Sequence, residues 1–139
     1  PIGGGPIVRV GDRTSTFDPD LTYRVSKIAE QLACSDSSFQ WQRKLMPGGT
    51  CESTVFCNYG FLSTCLCLAL GNYHNMHDID GVLQKKKPAK VAPEIISVKD
   101  YHGLVKMLTV ICRNLDKPRP ATLRNALEAR FKAHSKLLS

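Results

Sequence analysis

The sequence predicts an α/β fold, with a mixed or parallel sheet flanked by helices, in one domain over residues 1–139. Short β-type runs alternate with segments of helical periodicity along the whole chain. A length of 139 residues is enough to bury a core without disulfide staples. The composition, 42% hydrophobic and 22% charged, matches an ordinary globular domain rather than a disordered or fibrous chain. No internal repeat is present.

Ile7-Val8-Arg9-Val10 follows a glycine-rich lead-in and stops at Gly11-Asp12, which predicts a first strand. Asp18-Pro19 is a helix start, with Asp as the cap and Pro at the first helical position. Leu21, Val25, Ile28 and Leu32 recur at helical spacing, so the helix covers 19–34. Ser35 to Ser38 is a loop. Phe39, Trp41 and Arg43 alternate with Gln40, Gln42 and Lys44, as in a strand near a sheet edge. Met46-Pro47-Gly48-Gly49 ends it. A helix is expected from Thr50, its N-cap, to Tyr59, with Gly60 closing it. The apolar run Thr64 to Leu70 reads as a strand buried on both faces.

Asn72 to Pro93 has no clear period and reads as a long surface loop. Ser97 followed by Asp100 resembles a capping box and opens a helix over 98–115, with Leu104, Leu108, Ile111 and Leu115 as its apolar face. Lys117-Pro118-Arg119-Pro120 is a rigid spacer into a C-terminal helical extension, 118–139. In that last helix Leu123, Leu127, Phe131 and Leu138 are expected to make contacts, with Arg124, Arg130, Lys132 and Lys136 outside.

The net charge of +7 arises from 19 Lys and Arg against 12 Asp and Glu. Apart from Lys85-Lys86-Lys87 and the last helix, the cations are dispersed, and no aromatic residues interleave with them to stack on bases. A solvated surface is the preferred reading and nucleic-acid binding is disfavoured. The longest apolar stretch is too short to span a bilayer, so no membrane association is expected. Six cysteines, Cys34, Cys51, Cys57, Cys65, Cys67 and Cys112, contain no CxxC pair. They are read as reduced, mostly buried thiols of a cytoplasmic protein. A four-cysteine zinc site has unsuitable spacing.

Three groups of residues could carry chemistry. Met46-Pro47-Gly48-Gly49-Thr50-Cys51-Glu52 places glycine N–H groups before a helix start, where the helix dipole favours an anion. Such a turn can hold a carboxylate or an oxyanion. The simpler reading is a tight turn capped by Thr50. His74 follows the apolar strand in Gly71-Asn72-Tyr73-His74-Asn75, a place suited to a metal ligand, although a lone His is more often a surface residue. His77, Asp78 and Asp80 could form a second metal group but lie in a loop expected to face solvent. Cys51 at a helix start could act as a nucleophile, for which it needs His74 or His102 beside it as a base. The Gly48-Gly49 and Gly71–His74 turns both follow strands, so both are expected at the carboxyl ends where α/β sites gather.

In this order, the Gly3-Gly4-Gly5-Pro6-Ile7 lead-in, Asp18-Pro19-Asp20-Leu21, Gly48-Gly49-Thr50, the strand ending in Tyr73-His74, and Glu94 to Asp100 before a long helix resemble the C-terminal part of a metallopeptidase family. It is the co-catalytic zinc aminopeptidases of glutamyl-aminopeptidase and endoglucanase-like type, and the likeness covers residues 3–115. The resemblance implies half of a three-layer α/β/α domain. It also implies two divalent metal ions, zinc or cobalt, that activate a water against the terminal peptide bond, with a Glu as general base. His74 corresponds to the last metal ligand. The remaining ligands and the catalytic residues are expected upstream of Pro1. Gly48, Gly49, Thr50, Cys51 and Glu52 correspond to a substrate loop. Cys51 departs from the Asp usual after Gly-Gly-Thr, and the loop after His74 is longer than the family's, which marks a divergent branch.

The leading expectation is therefore a fragment of an aminopeptidase acting on peptide substrates, nearly inactive alone. It would pair with a missing N-terminal portion or assemble as a homo-oligomer. A start at Pro1 without Met fits a fragment, the alternative being a native chain with its initiator removed. The competing expectation is a non-catalytic α/β domain for binding or oligomerisation. Nucleic-acid binding through the lysine run and last helix is the third.

Overall fold

The computed structural model describes residues 1–117 and 122–137. In chain order the elements are β1 (Ile7–Gly11), α1 (Pro19–Ser35), β2 (Gln42–Leu45), α2 (Glu52–Asn58), β3 (Cys65–Cys67), a 3-10 turn (Tyr73–Asn75), α3 (Ile79–Leu83), α4 (Val98–Asn114), α5 (Leu123–His134) and a closing 3-10 turn (Ser135–Leu137). The α/β class holds: a small mixed three-stranded sheet is flanked by helices. The expected spacer over 117–120 and the contact through Leu138 lie largely outside the described residues.

The sheet order is β2-β1-β3. β2 runs parallel to β1, from Ile7 opposite Gln42 to Gly11 opposite Leu45 with a register shift between Arg9 and Gly11, and α1 supplies the crossover that a parallel pair needs. β3 runs antiparallel, pairing Cys67 with Ile7 and Cys65 with Arg9. β1 therefore sits in the middle, and its alternation sets the two faces. Val8 points into the core, where Val25, Ile28, Ala29 and Leu32 of α1, Phe39, and Met107 and Ile111 of α4 meet it. Full burial of such side chains stabilises by about 1.5–3 kcal/mol each.

Local signals placed most helix ends correctly. The Asp18 side chain accepts from Leu21 N–H at 2.6 Å with Pro19 in the first turn. Ser97 Oγ accepts from Asp100 N–H at 3.3 Å, the first half of the expected capping box. The second half differs. Asp100 is fully buried and turns its carboxylate to Gly3 N–H (2.7 Å) and Gly5 N–H (2.9 Å), so α4 holds the lead-in to β1. Gly5 itself is required there: its φ is +85° and a Cβ would lie 1.9 Å from the Gln40 carbonyl.

Several expectations need correction. The apolar run 64–70 is not a strand buried on both faces. Only Cys65–Cys67 pair, on one side, as a half-buried edge strand, and Leu70 is exposed. The N-cap of α2 is Cys51, not Thr50, and the helix is shorter than expected at both ends. None of the six thiols is buried: Cys34 and Cys112 are exposed and the other four are half-exposed. On α4 the buried positions are Asp100, Met107 and Ile111, which share one face, whereas Leu108 is exposed. On α5, Leu127 and Phe131 are exposed rather than packed. The 72–93 segment is more ordered than an open loop. α3 lies within it, and isolated bridges join Gly71 to Ile95 and Met76 to Val91.

Candidate site on the second face of the sheet

Ile7 and Arg9, which alternate with Val8, face away from the α1–α4 core, together with Cys67 and Lys44. They line a cavity of about 470 Å³, closed on one side by Met46 to Gly49 and on the other by Leu68 to Leu70 and Tyr73. The size suits a small ligand or a peptide end.

The Gly48–Glu52 turn reaches this cavity through Gly48 and Gly49. Among the described residues its glycine N–H groups hold no anion of the protein; the carboxylate beside it is engaged by Cys51 and by neighbouring Thr and Ser residues. The Asp12 carboxylate, buried after β1, accepts from Cys51 N–H at 2.8 Å and from Thr54 Oγ1 at 2.5 Å. Its other oxygen accepts from Thr14 N–H, Thr14 Oγ1 and Ser15 N–H at 2.8, 2.8 and 3.0 Å. Withdrawal from water would raise this carboxyl. The hydrogen bonds from Thr54, Cys51 and Thr14 outweigh that and hold it well below the usual carboxylate range. Arg13 N–H completes the clasp by donating to the Gly49 carbonyl at 2.9 Å. The N–H of the α2 N-cap, Cys51, is thus already taken. Thr50 makes only a long hydroxyl contact, 3.4 Å, with Thr14, and Glu52 is exposed in the first turn.

The Cys51 nucleophile reading gains no support from this arrangement, since a carboxylate rather than a free dipole end adjoins Cys51. The neighbours that bear on the adjacent Cys65 thiol are Cys51, Arg9 and Cys67, not an imidazole. Withdrawal from water first, and then Cys51, push Cys65 up to about 11, so it is a neutral thiol at ordinary pH. His102 stands elsewhere, in a cleft between α4 and the 36–40 loop. Arg9 was not singled out from sequence. Its Nε donates to Cys67 Sγ at 3.0 Å, and its Nη1 meets Met46 Sδ. A charged residue inside Ile7-Val8-Arg9-Val10 was the visible signal, since a central strand carries one only if its face is open or paired.

Because β3 is antiparallel, the Gly71–His74 turn leaves the sheet at the opposite end from Gly48-Gly49, not at a shared carboxyl end. Gly71 accordingly packs against Ile2 and Ile95. Tyr73 still reaches the cavity that Gly48 and Gly49 line, but His74 does not line it. His74 lines a separate hollow of about 190 Å³ with Met76 and Val91. It is exposed, its N–H donates to Glu94 Oε1 at 2.9 Å, and its ring lies 4.0 Å from that of Tyr73. Its backbone is left-handed, φ 58°, as are Asn72, Asn75 and Asp78. Four non-glycine residues in that region within seven positions store backbone strain, a feature concentrated at functional turns.

The second metal group does not assemble. Asp78 caps α3 through Gly81 N–H and pairs with Lys87 Nζ at 2.5 Å, which holds its carboxyl below the usual range. His77 joins the backbone bridge by donating to the Lys90 carbonyl. Among the described residues no three His, Cys, Asp or Glu side chains converge in a metal-holding cluster. No helix among them is long and apolar enough to cross a membrane.

No protein-family model matches the sequence, and no curated protein does. Solved structures do match. The TET aminopeptidase of a marine sediment archaeon, Thaumarchaeota archaeon SCGC AB-539-E09, aligns with a TM-score of 0.60 at 19% identity, over 84% of this chain and 27% of its own. The dodecamer PhTET1-12s aligns with a TM-score of 0.54 at 20% identity, over 81% of this chain and 27% of its own. The fold is aminopeptidase-like. The chain spans about a quarter of the length of either neighbour, and at such identities the likeness concerns architecture.

Proposed function

We propose that this chain is the part of a metal-dependent aminopeptidase catalytic domain that carries the last metal ligand, His74. The observation that supports it most is the fold match over more than four-fifths of the chain to the archaeal TET aminopeptidase and to the PhTET1-12s dodecamer. It agrees with the order of turns and strands that leads to His74. The strained turn at 72–78 and the cavity between Gly48-Gly49 and Tyr73 fit a ligand-bearing loop beside a peptide-binding surface.

The described residues do not make a metal centre by themselves, since no three ligating side chains converge. An exposed imidazole fits as one ligand of a centre whose carboxylates come from polypeptide outside these residues. Two divalent ions, zinc or cobalt, would there supply Lewis-acid activation of water. Within this chain, Gly48 and Gly49 offer backbone to the peptide substrate, and Asp12 fixes their turn. With Cys51 N–H committed to Asp12, substrate recognition falls to Gly48, Gly49, Arg9 and Tyr73.

The isolated 139-residue chain should not turn over aminoacyl-nitroanilide substrates with zinc or cobalt added, and robust turnover would overturn the incompleteness of its site. In the parent enzyme, His74→Ala should lower metal content by one ion per subunit and hydrolysis by about a hundredfold or more. Unchanged metal content would remove His74 from the centre.

A second reading, a non-catalytic binding or oligomerisation domain, is favoured by one observation. Val55, Phe56, Tyr59, Phe61 and Leu62 are all exposed, with Phe56 and Phe61 edge to face at 6.2 Å. Under that reading light scattering finds an oligomer that Phe56→Ser with Phe61→Ser disperses, and His74→Ala changes nothing.

A further inference from the structure

The C-terminal helix α5 lies outside the stretch whose sequence resembles the metallopeptidases, and it makes a cavity that the remainder of the chain could not. α5 meets α1 through its first two turns, and between them and β1 lies a groove of about 480 Å³. Its apolar wall includes Val10, Phe17 and Leu123. Its charged lining is entirely basic: Lys27, Arg43 and Arg130, with no carboxylate among the lining residues.

These cations are not balanced alike. Lys27 pairs with Glu30 at 2.6 Å. Arg43 and Arg130 have no salt bridge among the described residues, and Arg130 stands close enough to Lys27 to oppose its charge. Like charges drawn to one cavity repel unless an anion lies between them. The guanidinium is also the side chain best shaped to grip a carboxylate through two parallel hydrogen bonds. The adjoining wall is apolar and large enough for a short aliphatic or aromatic body. A hydrated anion alone would leave that wall wet, and a neutral apolar molecule would leave the guanidinium pair unanswered.

We propose that this groove binds a small anionic amphiphile, with its carboxylate between Arg43 and Arg130 and its apolar body against Val10, Phe17 and Leu123. The site is independent of the peptidase reading, since none of its residues belongs to the Gly48–Glu52 turn or the His74 loop. Occupancy would also tie α5 to the sheet, because one ligand would bridge Arg43 of β2 and Arg130 of α5.

Titration calorimetry of the full chain with octanoate, octanol and acetate tests the proposal. Octanoate should bind at one site, at least tenfold more tightly than octanol, which lacks the charge, and than acetate, which lacks the tail. Arg43→Gln and Arg130→Gln, both at exposed positions, should each weaken octanoate at least fivefold with the circular dichroism spectrum unchanged. Leu123→Ala should weaken octanoate and leave acetate as it was. Octanol binding as tightly as octanoate, octanoate affinity indifferent to Arg130→Gln, or no octanoate binding at all would each overturn it.

Discussion

Residues 1–45 together with α4 differ in kind from residues 52–97. The first region holds every fully buried hydrophobic side chain in the described structure, from Val8 and Phe17 through Ala29 to Met107 and Ile111. The second contributes none; its buried side chains are Ser53 and Thr54. It is attached by polar links: the Asp12 clasp on α2, Ser53 Oγ to the Thr64 carbonyl at 3.1 Å, Asp18 N–H to the Ser63 carbonyl at 3.1 Å, and the Gly71–Ile95 bridge. One region is held by close packing and the other by directed hydrogen bonds. The candidate substrate turn lies at the margin between them, and His74 lies within the hydrogen-bonded region.

The contrast can be broken in order of effect. Met107→Ala should cost about 3 kcal/mol in urea unfolding, as a core truncation that leaves a cavity. A loss below about 1 kcal/mol would mean that α4 does not close the core. Asp100→Asn should cost about 2 kcal/mol, because the N–H groups of Gly3 and of the buried Gly5 lose a charged acceptor. Thr54→Val, which keeps the shape but removes the hydroxyl donated to Asp12, should cost about 1–2 kcal/mol and raise amide exchange in α2 before it does so in α1. Equal exchange in both helices would show that the regions unfold as one.

Acid should act on carboxylates in both regions. Asp12, Asp36 and Asp78 are all held below the usual carboxylate range, Asp36 chiefly by Lys106 and then Ser38. A carboxyl with a depressed folded pKa contributes stability that is complete above its unfolded value, about 3.9, and is lost as pH falls through the folded value. The urea midpoint should therefore be level between about pH 5 and 7 and drop below about pH 4, with a shallower drop in Asp12→Asn. A drop confined to the range above about pH 5 would contradict that assignment. The smallest effect is expected at Leu62→Ser, within about 0.5 kcal/mol, since that side chain is already exposed.

Sequence reasoning read the first region well and the second poorly, for one reason. In α1 and α4 the apolar period, the Asp18-Pro19 start and the Ser97 cap agree with one another, and each acts within four residues. In 52–97 the same residue types gave contrary signals. The run at 64–70 looks like an interior strand because Cys, Leu and Ala are apolar, yet only Cys65–Cys67 pairs with a neighbouring strand. From sequence the glycine turn reads first as a tight turn capped by Thr50, with an anion site as the alternative, and the fold puts a carboxylate at the Cys51 N–H instead. That Asp12 supplies it was not legible, because 39 positions separate the carboxylate from the Cys51 N–H it accepts from.

The sequence by itself determined the α/β class, the limits of α1 and α4 and the aminopeptidase-like order of turns, because periodicity and capping are short-range. Tertiary structure alone decided that β3 runs antiparallel, that Asp100 faces the glycine lead-in rather than its own helix end, and that His74 and Gly48-Gly49 stand at opposite ends of the sheet. Those outcomes follow from buried N–H groups and carboxylates finding partners across long stretches of chain, a requirement that leaves no periodic trace in either partner's own segment.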